Sequence, residues 1–179
     1  MSPDPHPAGI NIHYLDQGSE LIENLTDELY AAGTGERSRG GVGAQLRHCL
    51  DFYDCFLAGI TERAIDYNRR KRDTRAETDR SHAAERLHKV RETLLRLTAD
   101  TGTRPLRVRA ECGAAGAAEW SDSSVARELQ FLVSHTIHHY ALIAMMLRTQ
   151  GYDVAREQPD FGIAPSTLAH WKEIGSFVG

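Results

Sequence analysis

Glu128-Leu129-Gln130-Phe131-Leu132-Val133-Ser134-His135-Thr136-Ile137-His138-His139-Tyr140-Ala141-Leu142-Ile143-Ala144-Met145-Met146-Leu147 is the stretch whose reading decides the fold. Leu129, Leu132, Val133, Thr136, Tyr140, Ile143 and Leu147 recur at three- and four-residue steps, the period of an α helix. Phe131, Ile137, Leu142, Met145 and Met146 extend that stripe around much of the circumference, so this helix should be the most buried of the chain. It begins after Ser121-Asp122-Ser123-Ser124 and runs to about Gln150, where Gly151 stops it. At about 1.5 Å per residue it spans about 40 Å.

Working outward, three earlier segments carry the same period. The first runs from about Tyr14 to Ala32 on Leu15, Leu21, Ile22, Leu25, Leu29 and Tyr30, and glycines 33 and 35 end it. The second runs from about Val42 to Ile60 on Leu46, Cys49, Leu50, Tyr53, Phe56 and Leu57. The third begins at Asp79 or Ser81, either of which can cap free amides, and continues to about Ala99 on Leu87, Val90, Leu94 and Leu97. Four such helices predict an all-α fold, a four-helix bundle, and the long connections 61–78 and 100–121 favour crossovers over a plain up-down order. Between the third and fourth helices, Leu106–Cys112 alternates apolar and polar and Ala118-Glu119-Trp120 can return beside it, which predicts a small β-hairpin. After Gly151 an ordered loop is expected to pack on the bundle through Tyr152, Phe161, Ile163 and Trp171.

Length and composition bound the rest. The 179 residues predict one domain, 1–179, with an ordered core over about residues 10–170. A net charge of −4, from 21 basic and 25 acidic residues, predicts no nucleic-acid partner. The one basic cluster, Arg69-Arg70-Lys71-Arg72, is followed at once by Asp73 and Glu77 and reads as a solvated loop. No apolar run reaches the ~18 residues of a membrane span, and the first residues lack a signal peptide's pattern. Cys49, Cys55 and Cys112 are odd in number and lack CxxC spacing, so reduced thiols and a cytoplasmic location are expected. Cys49 and Cys55 lie in apolar sequence and read as small buried hydrophobes.

The histidines carry the chemistry. His135 and His139 are four residues apart, which puts both imidazoles on one helix face. Two ring nitrogens so placed can reach one metal ion, and in so apolar a helix a metal satisfies groups that are otherwise costly to bury. The competing reading is a pair of core histidines hydrogen-bonded to neighbours. His48, in the second helix and off its Leu46–Leu50–Tyr53–Leu57 stripe, can face them across the bundle. Three neutral nitrogens with an open position are the donor set of a catalytic metal centre. Asp51, one turn after His48, is a candidate to orient an imidazole or act as a base; a solvated surface acid is the alternative. His138 points away from His139, and His6, His13, His82, His88 and His170 read as surface residues.

His48, the segment His135-Thr136-Ile137-His138-His139 and the apolar run Ala141-Leu142-Ile143-Ala144-Met145 together resemble the DinB/YfiT-like superfamily. Asp66-Tyr67, the basic cluster after it, and the late Phe161-Gly162-Ile163-Ala164-Pro165 resemble a DinB-like subgroup. The resemblance implies a four-helix bundle with one divalent ion, zinc or nickel, on His48, His135 and His139. It also implies a homodimer and thiol chemistry, because characterised relatives include metal-dependent transferases and isomerases that use low-molecular-weight thiols. The expected function is a divalent-metal-dependent enzyme, a transferase or hydrolase activating a small thiol or water, with Asp51 assisting and Arg69 and Arg70 available to a substrate carboxylate. Tyr53 and Tyr140 read as core. The alternative is a non-catalytic metal-binding stress-response or interaction protein.

Overall fold

The computed structural model describes residues 6–35, 38–110 and 119–175. Cys112 and the start of the expected return strand at Ala118 lie outside them. The chain is mostly helical. Helix α1 spans Gly9–Asn24, α2 Asp27–Ala31, α3 Val42–Glu62, α4 Arg80–Leu95, α5 Ala99–Gly102, α6 Val125–Thr149 and α7 Pro165–Glu173.

The first expected helix is two. Leu25 leaves α1 in an extended conformation, and Thr26 starts α2 by accepting a hydrogen bond from the Leu29 amide on its side chain. Asp79 caps α4, accepting from the His82 amide at 2.9 Å. That helix stops at Leu95, four residues short of expectation, and Thr98 opens α5 with a capping box. Ser124 caps α6, accepting from the Arg127 amide at 3.2 Å.

Helix α3 packs on α6 and on α4, and α1 packs on the same two. Leu46, Leu50, Tyr53 and Phe56 of α3 meet Leu129, Leu132, Thr136, Tyr140 and Ile143 of α6 in a common buried core. Each fully buried large apolar side chain contributes about 1.5–3 kcal/mol. One polar chain crosses this core: Tyr53 donates to Asn11 Oδ1 at 3.0 Å, and Thr136 donates to the Tyr53 hydroxyl at 3.3 Å. It ties α1, α3 and α6 together and leaves Tyr53 structural, as expected.

An all-α fold was expected, and the structure adds a three-stranded sheet. Strand β3 (Ala64–Asp66) runs parallel to β4 (Pro105–Arg109), and β4 runs antiparallel to β5 (Ser121–Ser124). The expected hairpin is two strands of a three-stranded sheet, and its return strand lies at 121–124, a run that in sequence marks only where the last long helix begins. A separate ribbon pairs β1 (Thr34–Gly35) with β2 (Ser38–Arg39).

Two close approaches fix the loops against the helices. The turn Thr74–Glu77 rests on Gly43, where an added Cβ would stand 2.1 Å from the Glu77 carbonyl oxygen. In the tail, Phe161 stacks on Tyr140 at 4.7 Å and Gly162 adopts φ +67. A Cβ on Gly162 would fall 2.8 Å from Tyr140, so glycine is required for both reasons. The tail, expected as loop, also carries α7, which buries no residue. Among the described residues no helix is long and apolar enough to cross a membrane.

Candidate metal centre

Helices α3 and α6 bring His48 and His135 together across 87 residues of sequence. Their Nε2 atoms stand 3.2 Å apart, a spacing that two ligands of one ion can adopt. His139, one turn further along α6, lies with its ring centroid 4.7 Å from that of His48 and 4.5 Å from that of His135. One ligand nitrogen from each of the three falls within 4.8 Å of the others. His138 is exposed and turns away, as its position on the helix requires.

All three imidazoles are half-buried, and burial dominates their proton affinities. It lowers His135 to about 3 and His139 to about 4, with help from the neighbouring imidazoles. His48 is lowered as well, by burial and then by the charges of Arg70 and Arg47. Neutral imidazoles are the ligand form for a metal.

Two further details suit an ion. His139 Nδ1 donates to Gln45 Oε1 at 2.5 Å, which holds the tautomer that presents Nε2 to the cluster. His135 turns Nε2 to His48, the nitrogen it would offer an ion, while its Nδ1 is buried with no hydrogen-bond partner among the described residues. Gln45 was missed in sequence; its signal is an amide one turn before His48 on the same helix.

Asp51 is placed differently. It is 2 % exposed, which overturns the surface-acid alternative. Its Oδ2 accepts from Arg47 and its Oδ1 from Arg86, each at 3.0 Å, so both oxygens face guanidinium groups rather than an imidazole. Arg47 continues to Glu77 at 2.9 Å, and Arg86 to Asp54 at 2.6 Å. The result is a partly buried ion-pair cluster joining α3, α4 and the turn before α4. His82, expected at the surface, joins its edge by bonding Asp73 Oδ2 at 2.7 Å. Cys49 and Cys55 are free thiols whose burial raises their proton affinity, Cys55 to about 11, which makes both poor nucleophiles.

Aromatic rings enclose the histidines. The Phe52 ring centroid lies 4.2 Å from that of His135 and 5.0 Å from that of His48, and Phe131 lies 5.7 Å from His135. Beyond them opens a cavity of about 710 Å³ between the sheet, the turn Tyr67–Arg69 and the start of α6.

No solved structure matches the chain. A protein of Rhizopus delemar named FK506-binding protein 5 is 36 % identical over 113 residues, which are 61 % of this chain. The chain spans only 28 % of that relative's length. The model of the DinB family matches residues 15–160, the span that holds all three histidines and the helices that present them, and the chain belongs to the DinB family.

Proposed function

We propose that the protein is a divalent-metal-dependent enzyme, a transferase or hydrolase that activates a low-molecular-weight thiol or water at His48, His135 and His139. The observation that carries this is the convergence of three neutral imidazole nitrogens within 4.8 Å, from two helices, beside a cavity. An ion held there supplies Lewis-acid character, lowering the pKa of a thiol or water at neutral pH. Zinc or nickel suits an all-imidazole donor set. The protein's own part is to keep the three rings neutral by burial, to orient His139 through Gln45, and to limit water around the centre with Phe52 and Phe131. Asp51 acts at one remove: it holds Arg47 and Arg86 and so braces the turn of α3 that carries His48.

The contacts of α1 with α4 and α6, and of α3 with the same two, support a four-helix bundle in which α1 lies across from α3 and α4 across from α6. Phe52 and Phe131, whose rings lie against the histidines, also line a cavity of small-molecule size, which supports an enzyme over a closed structural site. A homodimer and a cytoplasmic location belong to the same proposal.

Elemental analysis by plasma mass spectrometry, on protein purified without a histidine tag, tests the centre. Near-stoichiometric zinc or nickel in the wild type and little in His135→Ala/His139→Ala supports it. No metal in either, and no uptake on reconstitution, overturns it. Thiol-transfer and hydrolysis screens on loaded protein then separate catalysis from passive metal storage.

A further inference from the structure

Tyr140 follows His139 on α6, and residues from outside that helix fix its side chain from several directions. A Cβ on Gly18 of α1 would collide with the Tyr140 hydroxyl, so α1 closes over the far end of the ring. Tyr14 of α1 meets the ring edge-on, with centroids 6.5 Å apart, and Phe161 of the tail lies parallel to it at 4.7 Å. Gly162 closes on the root of the side chain: a Cβ there would stand 2.8 Å from Tyr140 Cβ and 3.1 Å from the Ala141 amide nitrogen.

Helix α1 holds the tail in turn. Buried Gln17 donates to the Asp160 carbonyl and accepts from the Gly162 amide, each at 3.2 Å, and Tyr14 donates to the Ile163 carbonyl at 2.7 Å. Helix α7, which follows, buries no residue, so the firm hold on this segment lies at 160–163. The family match stops at residue 160, one short of Phe161. His139 leaves α6 about 100° around the helix from Tyr140 and meets His48 and Gln45 of α3. A single turn of helix is stiff, so a shift of α6 at Tyr140 carries His139 with it. Ligand distances at a metal tolerate only about 0.2 Å, so what fixes Tyr140 also fixes whether His139 can share an ion with His48.

We propose that Phe161 and Gly162 are positioning residues of the histidine centre: acting through Tyr140, the tail sets the place of His139 against His48 and Gln45. The role rests on the metal-centre reading, and one readout is taken without metal so that the two fail separately. The full chain is compared as wild type, Phe161→Ala, Phe161→Leu and Leu94→Ala. Leu94 is a fully buried residue of α4, which packs on α1 and α3, so its loss lowers stability away from the clamp. Three quantities are measured beside urea unfolding: zinc affinity by chelator competition, the visible spectrum of cobalt-loaded protein, and the His139 tautomer in metal-free protein by nitrogen NMR of the imidazole. Phe161→Ala should weaken zinc binding about tenfold, the low end for a residue that orients a ligand, and alter the cobalt spectrum. It should also mix the His139 tautomers, where the wild type keeps the Nδ1–H form bonded to Gln45. Phe161→Leu should shift all three in the same sense by less, and carries the comparison alone if Phe161→Ala does not fold. Leu94→Ala should lose stability and keep the wild-type values. Wild-type affinity, spectrum and tautomer in the Phe161 variants overturn the proposal. So does an equal change in Leu94→Ala, which would mean that any loss of stability loosens the centre. A wild type that takes neither zinc nor cobalt, yet holds one His139 tautomer that Phe161→Ala mixes, sinks the metal reading and keeps the clamp.

Discussion

Acid should loosen this metal centre far less than it loosens ordinary histidine sites. An unperturbed histidine titrates near 6.5, so at pH 5.5 only about one in eleven is neutral, and each such ligand weakens metal affinity about elevenfold. Two of them together cost roughly 100-fold between pH 7.5 and 5.5. Burial holds His135 at about 3 and His139 at about 4, so at pH 5.5 both remain neutral and their joint loss is close to nil. His48 is lowered too, which works in the same direction. Zinc affinity, measured by competition with a chromophoric chelator at the two pH values, should therefore fall by less than about tenfold. The sign for stability is opposite. These groups have folded pKa values below their unfolded ones, so the unfolded chain takes up protons that the folded chain refuses. The metal-free protein should lose stability as pH falls from about 6.5 toward about 4, and zinc should offset that loss. NMR titration of the metal-free protein checks the premise directly. His135 and His139 titrating near 6.5, with a roughly 100-fold loss of zinc affinity, would refute the argument.

Other perturbations have outcomes as definite. Asp51→Ala removes the carboxylate that Arg47 and Arg86 share, while Glu77 and Asp54 still pair with them, and should cost about 1–3 kcal/mol in urea unfolding; a variant of wild-type stability that is merely inactive would make Asp51 a base instead. Gln45→Leu removes the acceptor of His139 Nδ1 and should weaken zinc binding about 10–100-fold, read by the same chelator competition, with little change in helix content by circular dichroism. Gly43→Ala drives a methyl into the Glu77 carbonyl, which is backbone and cannot swing aside, and should cost about 1–3 kcal/mol or more by thermal unfolding; an unchanged Tm would show that the turn Thr74–Glu77 is not clamped there.

Local features were legible because their physics is local. The three-four period of Leu129 to Leu147, the four-residue step from His135 to His139 and the capping side chain of Asp79 act within a turn or two of helix, so spacing alone reveals them. The break at Leu25 was not legible, because the apolar stripe continues through α2 while the backbone does not. The serine run 121–124 reads in sequence only as the place after which the last long helix begins, since its strand exists by virtue of β4 beside it.

Sequence by itself therefore determined the course of α3, α4 and α6, which face of α6 is buried and that two imidazoles share one face. Tertiary structure decided everything that depends on separate segments meeting. It brought His48 to within 3.2 Å of His135, turned Gln45 onto His139, laid Arg70, one of four adjacent basic residues, over Phe52, and enclosed Asp51 between two arginines. The physical reason is that periodicity reports the direction of a side chain about its own helix axis. It does not report what the neighbouring helix presents at that point, and both proton affinity and ligand geometry are set there.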